Sequence, residues 1–192
     1  MTYFIFGMVC AALCHFVYES ILAPSLRLEL RFELFKLRDE VRFLKMNNLS
    51  SKAASEPEFV DEHYGYLQDS INSLLCILHR YDLAAIWTIT DQISRDEALR
   101  QRVEARARLL EDCELPAVLS VRKRQINIAA KALAVNSGPM LLLLLAPAFA
   151  LRGYKAVRGK IRGEIKTSLT VPGTDLKRCI PRESNLGAGL AA

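Results

Sequence analysis

The chain has few histidines, few aromatic residues and none of the common catalytic sequence signatures. Its 192 residues include only three histidines and one tryptophan, and 8% are aromatic. The sequence signatures of phosphate-binding loops, dinucleotide-binding turns, serine hydrolases and zinc proteases do not occur in it. We therefore expect no catalytic residue, no cofactor and no metal ion, and we predict that the protein is not an enzyme.

Cysteine usage gives no sign of a disulfide framework. The chain has five cysteines, an odd number, and no C-x-x-C pair that would indicate a zinc or redox site. Cys10, Cys14 and Cys76 are interpreted as small apolar residues on helices. Lipidation of a membrane-proximal cysteine is the alternative.

Charge is almost absent from two blocks, the first at the N-terminus. Thr2–Tyr18 carries no formal charge, and Tyr3–Ala23 reaches the roughly 20 residues that a helix needs to cross a bilayer. We predict a retained transmembrane anchor over residues 1–24, ended or kinked by Pro24. A cleaved signal peptide is disfavoured, because no Lys or Arg precedes the apolar run and no small-x-small cleavage site follows it.

Small and polar residues recur on faces of this anchor. Gly7, Ala11, Cys14 and Tyr18 follow helical spacing, and the pair of small residues would let a second helix approach closely. His15 and Glu19 lie four residues apart and could line a polar path. The simplest interpretation is that the Glu19 carboxylate lies at the level of the lipid head groups. The alternatives are that it packs inside an oligomer or that it lines a pore or proton path.

Residues 25–46 are predicted to form an amphipathic juxtamembrane helix. Strong helix formers dominate there, and apolar residues step by four and three. Residues 47–54 (NNLSSKAA) look like a polar linker. The apolar positions of the helix are Leu30, Leu34, Leu37, Val41 and Leu44.

Residues 55–135 are predicted to be a helical domain. Ser55 with Glu58, and Ser94 with Glu97, match the capping box that opens a helix. Between them runs the most regular apolar pattern in the chain, which indicates helix–helix packing. Together with the five juxtamembrane positions, we assign this pattern to an oligomer seam; closure of the same positions within one chain is the alternative. Its residues are Val60, Tyr64, Leu67, Ile71, Leu74, Leu78 and Tyr81.

The second uncharged block lies between Lys131 and Arg152, and residues 136–151 are predicted to be embedded in the membrane. Gly138, Pro139 and Pro147 interrupt it, and both flanks are basic. A re-entrant or shallow segment with both ends cytoplasmic satisfies the positive-inside rule, whereas a true crossing does not. A buried core helix is the third possibility.

The net charge of +5 comes from the C-terminal end. Residues 152–192 hold nine bases and three acids and are predicted to be a basic, flexible tail. A basic run after an apolar block favours contact with anionic lipid head groups, and nucleic acid is the unlikely partner. The head-group contacts would be Arg152, Lys155, Arg158, Lys160, Arg162 and Lys166.

These observations favour an all-α protein with an N-terminal transmembrane helix, a coiled-coil-like helical bundle and a second membrane-embedded segment. The layout resembles that of small bacterial membrane proteins with a cytoplasmic helical domain, without a shared motif. We expect a homo-oligomeric scaffold or adaptor at the inner or plasma membrane, with an unknown protein partner. A pore-forming or membrane-perturbing effector is the alternative, and an enzyme using Asp61 and His63 is the third.

Overall fold

The computed structural model describes residues 2–51, 57–113, 115–138 and 154–180. Every element in these ranges is a helix. The α-helices are α1 (Thr2–Val17), α2 (Ala23–Ser51), α3 (Pro57–Ile77), α4 (Leu83–Arg95), α5 (Glu97–Glu111), α6 (Pro116–Asn136), α7 (Tyr154–Ser168) and α8 (Gly173–Cys179). A π-helical turn (Tyr18–Leu22) joins α1 to α2, and a 3₁₀ turn (Leu78–Arg80) follows α3.

The expected break at Pro24 does not occur, because the π-turn accommodates the proline. Proline has no backbone N–H and its ring crowds the carbonyl one turn earlier, which normally ends a helix. Here the N–H of Ala23 bonds to the carbonyl of Tyr18, five residues back, so the wider turn absorbs the misfit. The apolar helix and α2 therefore form one continuous rod, Thr2–Asn47.

Helices α2, α3 and α6 form the centre of the domain, and they close the predicted seam within one chain, which is the alternative to an oligomer seam. Tyr64, Leu67, Ile71 and Leu74 on α3 are almost fully buried, and the core of this single chain encloses them. Side chains enclosed in one chain cannot also contact a second one. Of the other seam positions, Leu30, Leu34, Leu37, Val41, Leu78 and Tyr81 are buried and Leu44 is half-buried.

Helices α4 and α5 begin at aspartates and not at the second predicted capping box. The side chain of Asp82 accepts a hydrogen bond from the Ala85 N–H at 2.7 Å, which caps α4. Asp96 accepts from the Leu99 N–H at 3.0 Å and caps α5 in the same way. Ser94 instead donates to the carbonyl of Asp91, within α4.

The predicted flexible tail is also corrected, since residues 154–180 form α7 and α8 and complete the core. Ile165, Val171 and Leu176 are buried against α3, α4 and α6. The buried hydroxyl of Tyr81 lies 2.6 Å from that of Ser168, and Ser70 donates to the carbonyl of Leu169 at 2.6 Å. The apolar positions of this segment are few and lie among basic residues, so the sequence pattern does not reveal that they belong to the core.

The predicted linker begins later than expected, because α2 continues through residues 47–51. Ser55 lies outside the described residues, although α3 does start at Pro57 as the sequence indicates. The embedded segment falls almost wholly outside them, since residues 139–153 are not described. The same holds for Arg152 and for the side chains of Ala11, Val60, Lys155 and Arg158.

Candidate membrane-facing site

Helix α1 is apolar and, among the residues that the structure describes, makes almost no contact beyond the turn that follows it. It is long and apolar enough to cross a membrane, and none of its most apolar 18-residue window is buried. Phe4 is 73% exposed and Phe16 is 66% exposed. A helix with an apolar surface all round needs an apolar environment, which the described part of this chain does not provide.

The predicted packing face of α1 is open at one end and occupied at the other. A side chain placed on Gly7 would meet nothing within 4 Å, and Cys14 is exposed. Tyr18, by contrast, is half-buried and contacts the domain. His15 and Glu19, the predicted polar path, are both exposed.

Two hydrogen bonds fix the apolar helix to the end of α6. The hydroxyl of Tyr18 donates to the carbonyl of Val135 at 2.7 Å. The Nε of Arg27 donates to the side-chain oxygen of Asn136 at 2.8 Å. The amide of Asn136 in turn donates to the carbonyls of Leu78 at 2.7 Å and Tyr81 at 3.0 Å. The ends of α3 and α6 therefore meet at the base of the anchor.

Gly138 lies in the second apolar block, as the last described residue before position 139, and it packs directly against Tyr18. A Cβ at this position would stand 2.7 Å from the tyrosine hydroxyl. Residue Tyr154, the next one that the structure describes, begins α7, which packs against α4 and α6. Both flanks of the block therefore belong to the same packed domain.

A groove of about 750 Å³ runs between α2 and α3, beginning directly after the anchor. We call it the basic groove. Arg27, Arg31 and Arg38 border it on α2, and His79 borders it near the end of α3. Its remaining walls are mostly apolar, and none of the residues that line it is acidic. They are Pro24, Leu28, Phe35, Asn72, Leu75, Cys76 and Leu78.

The basic groove is positive because α2 separates its charges by face. Glu33 and Glu40 turn towards α6, where they pair with Lys131 at 2.8 Å and with Arg124. On the groove side, the guanidinium of Arg38 stacks 4.9 Å from the centre of the Phe35 ring, and Arg31 lies 5.7 Å from it. The Arg38 Nε is buried without a hydrogen-bond acceptor and lies 3.6 Å from Asp39.

A third surface lies on α2, opposite its buried side. Leu28, Phe32, Phe43 and Met46 are 55%, 62%, 59% and 62% exposed and follow one helical face. We call this row the outer stripe. Exposed aromatic and aliphatic side chains in a row are typical of contact surfaces.

The predicted head-group contacts on α7 differ in their environments. Lys160 and Arg162 are exposed, whereas Lys166 pairs with Glu111 of α5 and lowers the pKa of that carboxyl. Lys166 therefore ties α7 to the domain.

Of the two residues named for the enzyme alternative, the structure describes the side chain of His63. The buried ring of His63 has its Nε2 2.9 Å from the carbonyl oxygen of Leu109, which is a structural contact between α3 and α5. No group of three or more His, Cys, Asp or Glu residues in the described ranges is arranged to hold a metal ion. The side chain of Asp61 is outside those ranges.

Sequence reasoning missed the basic groove, although a signal for it is present. Arg27, Arg31 and Arg38 are spaced by four and seven, which places them on one helical face. The matching wall on α3 needs tertiary packing and has no sequence signature. Comparison with protein-family models, with curated proteins and with solved structures gives no match to this chain.

Proposed function

We propose that this chain is a non-catalytic, membrane-anchored protein that self-associates and acts as a scaffold or adaptor at the membrane surface. One observation carries the proposal: an apolar helix with no partner in the described chain is joined, without a flexible hinge, to a packed helical domain. Such a helix fits a bilayer, and its bonds to α6 hold the domain at a fixed place beside it.

The charge distribution supports a cytoplasmic position for the domain. Six bases, from Arg27 to Lys45, follow the anchor within about 25 residues, the region that the positive-inside rule weighs most heavily. Acidic residues in the same stretch contribute little to that rule.

The second apolar block fits a segment that stays on the domain's side of the bilayer. A single crossing would separate its flanks, yet α6 and α7 pack together. Residues 139–153 span at most about 50 Å when fully extended, whereas two crossings require about 60 Å. A re-entrant or shallow position therefore accounts for both basic flanks.

The outer stripe is the surface through which two copies would associate, because most positions of the predicted seam are buried within one chain. The stripe continues the axis of the anchor, and Phe43 lies about 30 Å along the rod from Leu22, beyond the reach of the bilayer. Two copies anchored in one membrane have the same orientation, so their stripes can meet about a two-fold axis along the membrane normal. Aromatic side chains such as Phe32 are effective contacts at such an interface.

The native mass of the detergent-extracted chain tests self-association. Phe32→Glu removes an aromatic contact and adds a charge at the stripe, so we expect it to convert a dimer to a monomer. Leu119→Glu makes the same kind of change on α6, where Leu119 is 45% exposed, and should leave the mass unchanged. A monomeric unsubstituted chain, or equal effects of the two variants, would contradict the role of the stripe.

Retention in membranes after an alkaline carbonate wash tests the anchor. Leu13→Arg puts a charge in the middle of α1, at a cost of about 3 kcal/mol to insertion, and should release a large fraction of the protein. Leu119→Arg serves as the control for an added charge on the domain. An unsubstituted chain that washes off would overturn the membrane proposal.

A further inference from the structure

The basic groove has the composition of a site for an amphiphilic anion. Three guanidinium groups border it, no carboxylate lines it, and Leu28, Leu75 and Leu78 supply apolar walls. Its volume of about 750 Å³ is within the range of small-molecule sites. Arginine binds phosphate through two parallel hydrogen bonds, which makes a phosphate group the best-fitting anion.

The position of the groove points to one source for that phosphate. Pro24 and Arg27, at its near end, follow the anchor directly, so this end opens at the level of the lipid head groups. An anionic phospholipid of the adjacent leaflet reaches this opening without leaving the bilayer. We propose that the near end of the basic groove binds the phosphate head group of an anionic phospholipid, with Arg31 as the main contact and Arg27 beside it.

Helix geometry distinguishes this occupant from others. Arg31 lies about 6 Å beyond Arg27 along the axis, whereas Arg38 lies about 17 Å beyond it. A glycerophosphate head group touches the first two positions and does not extend to Arg38. An acidic protein segment lying along the groove would contact all three arginines.

The inference rests on the proposed membrane attachment, and the experiment separates the two. Full-length protein is reconstituted into nanodiscs of phosphatidylcholine alone or of phosphatidylcholine with increasing phosphatidylglycerol, and its thermal unfolding is followed. A lipid that binds only the folded state raises the midpoint increasingly as its concentration exceeds its dissociation constant. Glycerol phosphate and inorganic phosphate, added to the phosphatidylcholine discs, test a soluble source.

Three variants each remove one positive charge from α2. Arg31→Gln should lower the apparent affinity for phosphatidylglycerol about tenfold, as expected for the loss of a charge-assisted hydrogen-bond pair. Arg38→Gln should change it less than about twofold, because a head group does not extend that far. Arg42→Gln is the control outside the groove; Arg42 is exposed and lies 3.7 Å from Asp39. Arg27 stays unchanged in all three variants, because its bond to Asn136 supports the fold.

The expected result is a midpoint that rises with phosphatidylglycerol, is sensitive to Arg31 and is unaffected by the soluble phosphates. An equal midpoint in both lipid mixtures would overturn the inference and leave the anchor standing. Equal losses in Arg31→Gln and Arg38→Gln would indicate an occupant that fills the whole groove, and an effect of inorganic phosphate alone would indicate a soluble ligand. Failure to insert into either disc would contradict the proposed function itself.

Discussion

The phenol of Tyr18 is hydrogen-bonded to the backbone carbonyl of Val135 at 2.7 Å, across 117 residues of sequence. This bond joins the end of the apolar helix to the last turn of α6. Gly138 packs against the same tyrosine, in a space that no larger residue could share without moving it. The contact explains how an otherwise exposed helix holds a defined direction relative to the domain.

The first prediction concerns this junction. Gly138→Ala would place a methyl group 2.7 Å from the Tyr18 hydroxyl, so the tyrosine must turn away and lose its bond to Val135. We expect a loss of about 1 kcal/mol in unfolding free energy, measured by chemical denaturation in detergent. In a Tyr18→Ala background the same substitution should cost much less. An equal cost in both backgrounds would show that the clash is not with Tyr18.

The second prediction tests the docking of the C-terminal helices. Gly173 lies against α3, where a Cβ would clash with the Ser73 hydroxyl and come within 2.7 Å of the Asp69 carboxylate. Gly173→Ala should lower stability by about 1–3 kcal/mol through overpacking. Gly163 of α7 has nothing within 4 Å of its Cβ position, so Gly163→Ala should stabilise the protein by about 0.5–1 kcal/mol.

Thermal unfolding and limited proteolysis measure both glycine variants. Cleavage between α7 and α8 should become faster only in Gly173→Ala. If the two variants behave alike, α8 does not depend on the close approach of Gly173 to α3.

The third prediction separates the observed helix cap from the one that the sequence indicated. Asp96→Ala removes the oxygen that accepts the Leu99 N–H, and should cost about 1 kcal/mol. Ser94→Ala removes only a local bond to the Asp91 carbonyl and should be within about 0.5 kcal/mol of the parent. Chemical denaturation gives both values, and the reverse order would restore Ser94 as the cap.

The fourth prediction is a pH dependence set by Tyr81. Burial raises the pKa of its phenol well above the ordinary value of 10.0, and the hydrogen bond with Ser168 only partly opposes this. The folded state therefore holds the proton while the unfolded chain releases it above pH 10. The stabilising contribution is complete below pH 10 and falls by about 1.4 kcal/mol per pH unit above it.

Tyr81→Phe should remove this alkaline loss while costing about 1 kcal/mol at neutral pH, because the bond to Ser168 disappears. Denaturation at pH 8, 10 and 11 measures the difference between variant and parent. That difference should shrink as the pH rises. A constant difference would mean that Tyr81 ionises equally in both states.

The sequence predicted the helices well where apolar spacing was regular and uninterrupted. The run from Tyr64 to Leu74 became the buried side of α3, and an apolar N-terminal helix is present. What the spacing could not decide is whether a buried side faces the same chain or a second copy. Periodicity shows only that one face of a helix is apolar. Which helix covers that face depends on the tertiary packing, here on the position of α6.

Local signals failed where a tertiary contact outweighed them. Pro24 has the expected helix-breaking chemistry, but a π-turn and the bonds of Tyr18 and Arg27 hold the rod together through it. In the basic C-terminal segment, Ile165 and Leu176 fill gaps in the core that exist only after α3, α4 and α6 have packed. The basic groove similarly requires two helices far apart in sequence.

Because α1 continues through the π-turn into α2 without a loop, the tilt of α1 also sets the direction of α2. Helix α2 has 29 residues and is about 43 Å long, so a change of 20° in the tilt of the anchor would swing its far end by about 15 Å. Membrane helices change tilt to match the local thickness of the bilayer. With α1 in a bilayer, as proposed, the thickness of the surrounding lipid would set the height and direction at which the protein presents its outer surfaces.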